Sequence, residues 1–178
     1  MHTDRRNFMK LSAAGAAALS TMSTGAWLSG CTSSQAVPGM RFLRPGDVEL
    51  LSALTPSVMA GQVGPGDTEK IDRTVKSFDT LLADTSQIVV DLLLEAFDVL
   101  NFTPTRGLMT GQWASWSKAS VQDADHALDR LRDSSIELLN AIYAALIRMI
   151  ASSYYLIAEY DASTGYPGPP KKIVGVIQ

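Results

Sequence analysis

The chain has 178 residues, of which 46% are hydrophobic and 19% charged, with a formal charge of −3 at pH 7. That balance excludes nucleic acid as a partner, because no basic excess is available to neutralise phosphates. With Cys31 as the single cysteine, it also excludes an intramolecular disulfide, a cysteine-held zinc or iron–sulfur cluster and a C-x-x-C-H haem attachment.

The chain opens with Asp4, Arg5, Arg6, Asn7, Phe8, Met9 and Lys10, then an uncharged run over 11–28, then Leu28, Ser29, Gly30 and Cys31. A basic start before an uncharged run is the pattern of an export signal, which stands apart from the folded domain. Arg5 and Arg6 followed by Phe8 and Lys10 resemble the twin-arginine (Tat) signal, which a receptor reads as an address. Leu28 to Cys31 resembles a bacterial lipobox, in which the cysteine sulfur receives a diacylglyceryl group and becomes the new N-terminus. The run 11–28 is long enough to span a bilayer. Eight of its eighteen residues are Ala or Gly, however, and Ser and Thr fill much of the rest, so it is weakly hydrophobic. Residues 1–30 are therefore expected to be a Tat-type signal peptide. Lipid on Cys31 is expected to hold the protein on the periplasmic side of a bacterial membrane.

The 148 residues after position 30 suffice for one domain with a core. Residues 1–30 carry Asp4, Arg5, Arg6 and Lys10, a net +2, so this remainder has a charge of −5. Residues 31–46, with Ser33, Ser34, Gln35, Pro38, Gly39, Pro45 and Gly46, read as a tether between lipid and domain. Asp47 is placed to N-cap a helix through Val48, Leu50, Leu51 and Leu54, which Pro56 kinks or restarts and Thr55 can cap anew. Gly61 to Gly66 form a loop. Asp67 or Thr68 opens the next helix, with Ile71, Val75, Phe78, Leu81 and Leu82 at helical spacing.

After a break at Asp84 to Ser86, a third helix carries Ile88, Val89, Leu92, Leu93, Ala96, Phe97 and Leu100, with Asp91, Glu95 and Asp98 on its polar edge. Asn101 to Gly111 is a loop or short helix. Gln112 to Lys118 reads as one helical stretch that puts Trp113 and Trp116 on one face. Ser120 and Asp123 form a capping-box start for a charged, solvated helix from Val121 to Arg132. Ser134 to Tyr160 is apolar over most of its circumference and reads as the central helix of a bundle, about 40 Å long. Residues 161–178 change character: prolines and glycines to Pro170, then Lys171 and Lys172, then the apolar Ile173, Val174, Gly175, Val176 and Ile177. The expected fold class is all-α, a single helical bundle domain over 47–160 behind the export signal, with a Pro/Gly-rich C-terminal tail.

Chemistry-bearing patterns are few. A di-iron bundle needs two Glu-x-x-His pairs and two further Glu. His126, with Asp123 three residues before it, is the one histidine beyond the signal. Asp91, Glu95 and Asp98 could hold a hard cation, but such sites draw oxygen ligands from loops as well, so an exposed helix edge is the better reading. No serine lies in a G-x-S-x-G turn and no dinucleotide fingerprint occurs, so no catalytic, cofactor-binding or metal-binding residue is assigned. Tyr166, in a proline-rigid turn, has the setting of an interface aromatic.

The helical domain behind a Tat signal, ending in Tyr160, Gly165, Tyr166, Pro167, Gly168, Pro169 and Pro170, resembles the gluconate 2-dehydrogenase subunit 3 family. Leu50 to Leu54 followed by Pro56, and Ile71 with Asp72, are similar to the opening of that family, and the resemblance covers roughly residues 47–170. These are small subunits of periplasmic flavin dehydrogenases of the glucose–methanol–choline (GMC) type. The resemblance implies a non-catalytic chain whose partner is a large FAD-containing dehydrogenase subunit, with a cytochrome as a further possible component. FAD is loaded in the cytoplasm, so the flavoprotein crosses the membrane folded, and the small subunit lends its address to the Tat translocase. Residues Tyr160 and Gly165 to Pro170 would then bind the partner. The alternative is a stand-alone helical lipoprotein with a binding or scaffolding role.

Overall fold

The computed structural model describes residues 35–157 and Gly165, and the domain is built there from six α-helices with no strand among the described residues. They are α1 (Pro45–Val58), α2 (Thr68–Ala83), α3 (Gln87–Asn101), α4 (Thr103–Thr110), α5 (Val121–Arg132) and α6 (Glu137–Tyr155), with a single 3-10 turn (Trp116–Lys118) before α5. The all-α expectation is met.

The centre of the domain is α1. Leu50, Leu51, Leu54, Thr55 and Pro56 are all buried, and α2, α3, α5, α6 and the 3-10 turn all pack on this helix. This corrects the assignment of the central role to the last helix. That helix is also shorter than expected, starting at Glu137 after an N-cap at Ile136. Its 19 residues make it about 28 Å long. It buries one stripe, Leu139, Ile142, Leu146, Ile150 and Tyr154, against α1, α2 and α5. Leu138 is exposed on its other side. Apolar circumference misled here because part of it faces water.

The start of α1 differs from expectation as well. Its N-cap is Arg44, and Asp47 is the third helical residue of a capping box. The Arg44 N–H donates to Asp47 Oδ2 at 2.9 Å, and the guanidinium reaches the same carboxylate through Nε at 2.8 Å and Nη2 at 3.2 Å. Asn101 Nδ2, at the end of α3, donates to Asp47 Oδ1 at 2.9 Å. Asp98 of α3 pairs with Arg44 Nη1 at 2.6 Å. The fully buried Asp47 therefore joins the first turn of α1 to the last turn of α3. Its hydrogen bond to Arg44 raises the arginine pKa above the ordinary value, outweighing the opposing effect of burial. Pro56 sits in the last turn, where its missing N–H removes one rung just before the helix ends, so α1 passes through it.

Residues 37–46 belong to the folded domain, which shortens the expected tether over 31–46. Leu43 is completely buried. Asp79 on α2 accepts the backbone N–H groups of Arg41 at 2.7 Å, Phe42 at 2.9 Å and Leu43 at 3.0 Å. A single carboxylate thus satisfies three consecutive backbone donors that would otherwise lack partners in this irregular segment.

The remaining joints are local. Phe78 of α2 meets Phe97 of α3 with ring centroids 6.1 Å apart. The predicted capping box of α5 is present: the Asp123 N–H donates to Ser120 Oγ at 3.2 Å and the Ser120 N–H to Asp123 Oδ2 at 2.9 Å. Asn140 Nδ2 donates to the carbonyls of Leu131, Arg132 and Ser134, satisfying the end of α5 and closing the turn into α6. Among the described residues no helix is long and apolar enough to cross a membrane.

Candidate docking surface

An apolar groove lies between α3 and α6. Both helices lean on α1 but scarcely on each other. The space between them, about 440 Å³, has a floor of Leu93, Phe97, Ile142 and Leu146 and walls that include Val89, Leu92 and Leu138. Val89 is 40% exposed, Leu92 60% and Leu138 66%, and Ile88 beside them is 73% exposed. A second hollow, lined by Leu108, Arg130 and Ile136 among others, shares Met109 and Leu139 with the first. Among the described residues, five of the ten exposed large apolar side chains therefore lie along these two adjoining hollows. An exposed apolar strip of this kind is a candidate docking surface.

Sequence reasoning did not separate Ile88, Val89 and Leu92 from Leu93, Phe97 and Leu100, because a helical run of apolar residues looks the same whether its second stripe meets protein or water. The available signal is the width of the pattern. Val90, Leu93, Phe97 and Leu100 already supply a complete buried stripe, so Ile88, Val89 and Leu92 are surplus to it.

Glu95 is the one charged residue among those that line the groove. The charged residues of α3 and α6 are Asp91, Glu95, Asp98, Glu137 and Arg148. Asp91 accepts a hydrogen bond from Gln87 Nε2 at 2.7 Å, while Asp98 faces away to Arg44. The three carboxylates of α3 therefore do not converge. No group of three or more His, Cys, Asp or Glu side chains could hold a metal ion among the described residues.

His126 is exposed on α5. Asp123, three residues before it, is engaged by Ser120, whose backbone and hydroxyl hydrogen bonds hold its carboxyl below the usual value.

Gln112 to Lys118 is not a single helix. Gly111 ends α4 at φ +81°, and Ser115 caps the 3-10 turn, its Oγ accepting the Ser117 N–H. Trp113 and Trp116 consequently part company. Trp116 is buried and donates its indole N–H to the Leu100 carbonyl at 2.9 Å, whereas Trp113 is 62% exposed and lies over Gly107. Beneath it, buried Arg106 donates to the carbonyls of Asn101 (2.8 Å), Gln112 (3.0 Å) and Trp113 (3.3 Å). Burial lowers its pKa, and the charge of Glu49 opposes that shift. It hydrogen-bonds to neutral groups at and beside the α4 turn, which gives it a structural place.

Of the residues singled out by sequence, Arg5, Arg6, Phe8, Lys10 and Cys31 lie outside the described residues, as do Tyr160, Tyr166, Pro167, Gly168, Pro169 and Pro170. Gly165 has φ +71°, in the left-handed region that favours glycine, with nothing within 4 Å of where a Cβ would be. No family model, curated protein or solved structure matches this chain.

Proposed function

We propose that this chain is the non-catalytic small subunit of a membrane-associated, flavin-dependent dehydrogenase of the GMC type. It supplies the catalytic subunit with a Tat export address, with stability and with an anchor through lipid on Cys31. The observation that carries the reading is the pairing of Arg5 and Arg6 with Cys31 in front of a small helical domain whose ending, Tyr160 and Gly165 to Pro170, resembles the gluconate 2-dehydrogenase subunit 3 family. The left-handed Gly165 supports a turn at that ending, a setting in which Tyr166 loses little entropy on docking. In this reading FAD and the reacting atoms belong to the partner, and this chain contributes surface.

The test is a pull-down of the C-terminally tagged chain from gently solubilised membranes of its own host, followed by a visible absorption spectrum. A larger co-purifying polypeptide with a flavin spectrum is the expected result. Changing both Arg5 and Arg6 to Lys should strand that polypeptide in the cytoplasm. A colourless single band, with flavoprotein export unaffected by the arginine change, would overturn the reading in favour of a stand-alone lipoprotein.

A further inference from the structure

We propose that the two adjoining hollows form one site for a single-chain amphiphile with an anionic head, of which a medium-chain fatty acid is the simplest. The alkyl chain would lie in the groove between α3 and α6, and the head would meet the Arg130 guanidinium in the second hollow. The inference rests on the hollows alone and does not depend on the dehydrogenase reading.

Shape is the first argument. The second hollow, about 640 Å³, meets the groove at Met109 and Leu139, and each of the two has the size of a small-molecule site. Thr105, in the wall of the second hollow, donates its hydroxyl to the Val99 carbonyl, so the junction lies at the C-terminal end of α3. From Val99 the groove runs back along α3 to Val89, a distance of about 15 Å. An extended chain advances about 1.2 Å per bond, so the groove accepts an alkyl chain of about twelve carbons. Ala96, Ala141 and Ala145 in its lining keep it open where larger side chains would fill it.

Charge is the second argument, and it sets the direction of the ligand. The lining of the groove is apolar apart from Glu95, whose carboxylate disfavours an anion lying there. The second hollow is lined by Arg130, Asp133, Ser134 and Ser135 beside its apolar residues. Asp133 is taken up by Arg132, whose Nε and Nη2 reach its two oxygens at 2.9 Å and 3.1 Å. Arg130 donates from Nε to the Met109 carbonyl at 3.2 Å and from Nη2 to the Leu108 carbonyl at 2.8 Å. No carboxylate pairs with it among the described residues. The two carbonyls hold the guanidinium beside the junction and leave three of its five N–H groups to give. An anionic head placed there gains charge-assisted hydrogen bonds with no carboxylate to displace. A cationic head would be set against the same guanidinium.

The experiment is titration calorimetry of the full-length chain with laurate below its micellar concentration. Cys31→Ser removes the thiol that would carry lipid, so the chain is handled without detergent. Laurate should bind about a hundredfold more tightly than octanoate, since it buries four more methylenes. Dodecyltrimethylammonium, with the same chain and the opposite charge, should bind about tenfold more weakly than laurate. Arg130→Gln should abolish that preference, and Arg130→Lys should keep most of it. Leu92→Glu, at a 60% exposed position in the wall of the groove, should weaken both dodecyl ligands about tenfold. Circular dichroism checks that each variant keeps its helices. No saturable binding of laurate by the folded chain would overturn the proposal. Binding that ignores chain length, or that survives both Arg130→Gln and Leu92→Glu unchanged, would overturn it too, because the ligand would then lie elsewhere. A chain found dimeric by light scattering, with Leu92→Glu monomeric and neither taking up laurate, would overturn it in favour of a second copy.

Discussion

Asp79→Ala should detach residues 41–43 from α2 and cost about 3 kcal/mol of stability. The carboxylate accepts three backbone N–H groups across a gap of 36 to 38 residues, and the most buried of them, that of Leu43, has no water to turn to. Leaving a buried donor unsatisfied costs about 1–3 kcal/mol, and the two half-buried donors lose about 0.5–1 kcal/mol each even after rehydration. Asp79→Asn is the sharper probe. Phe42 and Leu43 share Oδ1, so an amide oxygen placed there keeps both, and only the Arg41 N–H, which used Oδ2, meets a donor instead of an acceptor. Its cost should be about half that of the alanine variant, in the range of a single charged hydrogen bond. The assay is urea unfolding followed by helical circular dichroism. With a slope of about 2 kcal/mol/M, the alanine variant should lower the midpoint by about 1.5 M at unchanged slope. Limited trypsin digestion should also cut after Arg41 or Arg44 in the variant well before the helices unfold. A midpoint within experimental error of the parent, with the segment still protected, would refute the claim that this carboxylate holds the segment.

Two further outcomes can be checked on the same protein. The capping carboxylate of Asp123 is held below its ordinary value of 3.8 by Ser120, so it contributes stability that is present above that value and lost as pH falls through the lower folded pKa. Asp123→Asn should therefore lower Tm at neutral pH, and its difference from the parent should shrink to nothing in acid; a difference constant across that range in thermal melts would contradict the capping role. Gly107→Ala puts a Cβ 2.4 Å from the ring of Trp113. Because that ring is 62% exposed it can swing into water, so the cost should be only about 1 kcal/mol, comparable to other small strain effects, and tryptophan emission should shift to longer wavelength. An unshifted spectrum would mean that Trp113 does not lie over Gly107.

The parts of the fold written locally in the sequence were legible, and the parts written across long separations were not. The α5 capping box needs only Ser120 and Asp123, and the amphipathic stripe of α2 needs only its own period. Residues 37–46 look like linker because Pro38, Gly39, Pro45 and Gly46 are turn formers, and the carboxylate that folds them down lies on another helix. The last helix was credited with the centre on apolar content, although content does not say which stripe meets protein. The same ambiguity hid the groove between α3 and α6, since Leu92 and Leu93 are adjacent in sequence yet one is 60% exposed and the other 7%. Pairing the tryptophans presumed a helix that Gly111 had already ended.

Placing the central helix at the start of the domain has a consequence in time. α1 ends at Val58, and the first residue of α6, which covers part of it, is Glu137. At about 5–20 residues per second, roughly 4–16 s of synthesis separate the two. Throughout that interval Leu50, Leu51 and Leu54 wait without their full cover, as a nascent segment for chaperones to hold. A ribosome that stalls before α6 releases a chain whose innermost helix is still partly bare. The packing thus makes native burial a late event, reached when the last helix arrives, and links the maturity of the domain to the completion of its synthesis.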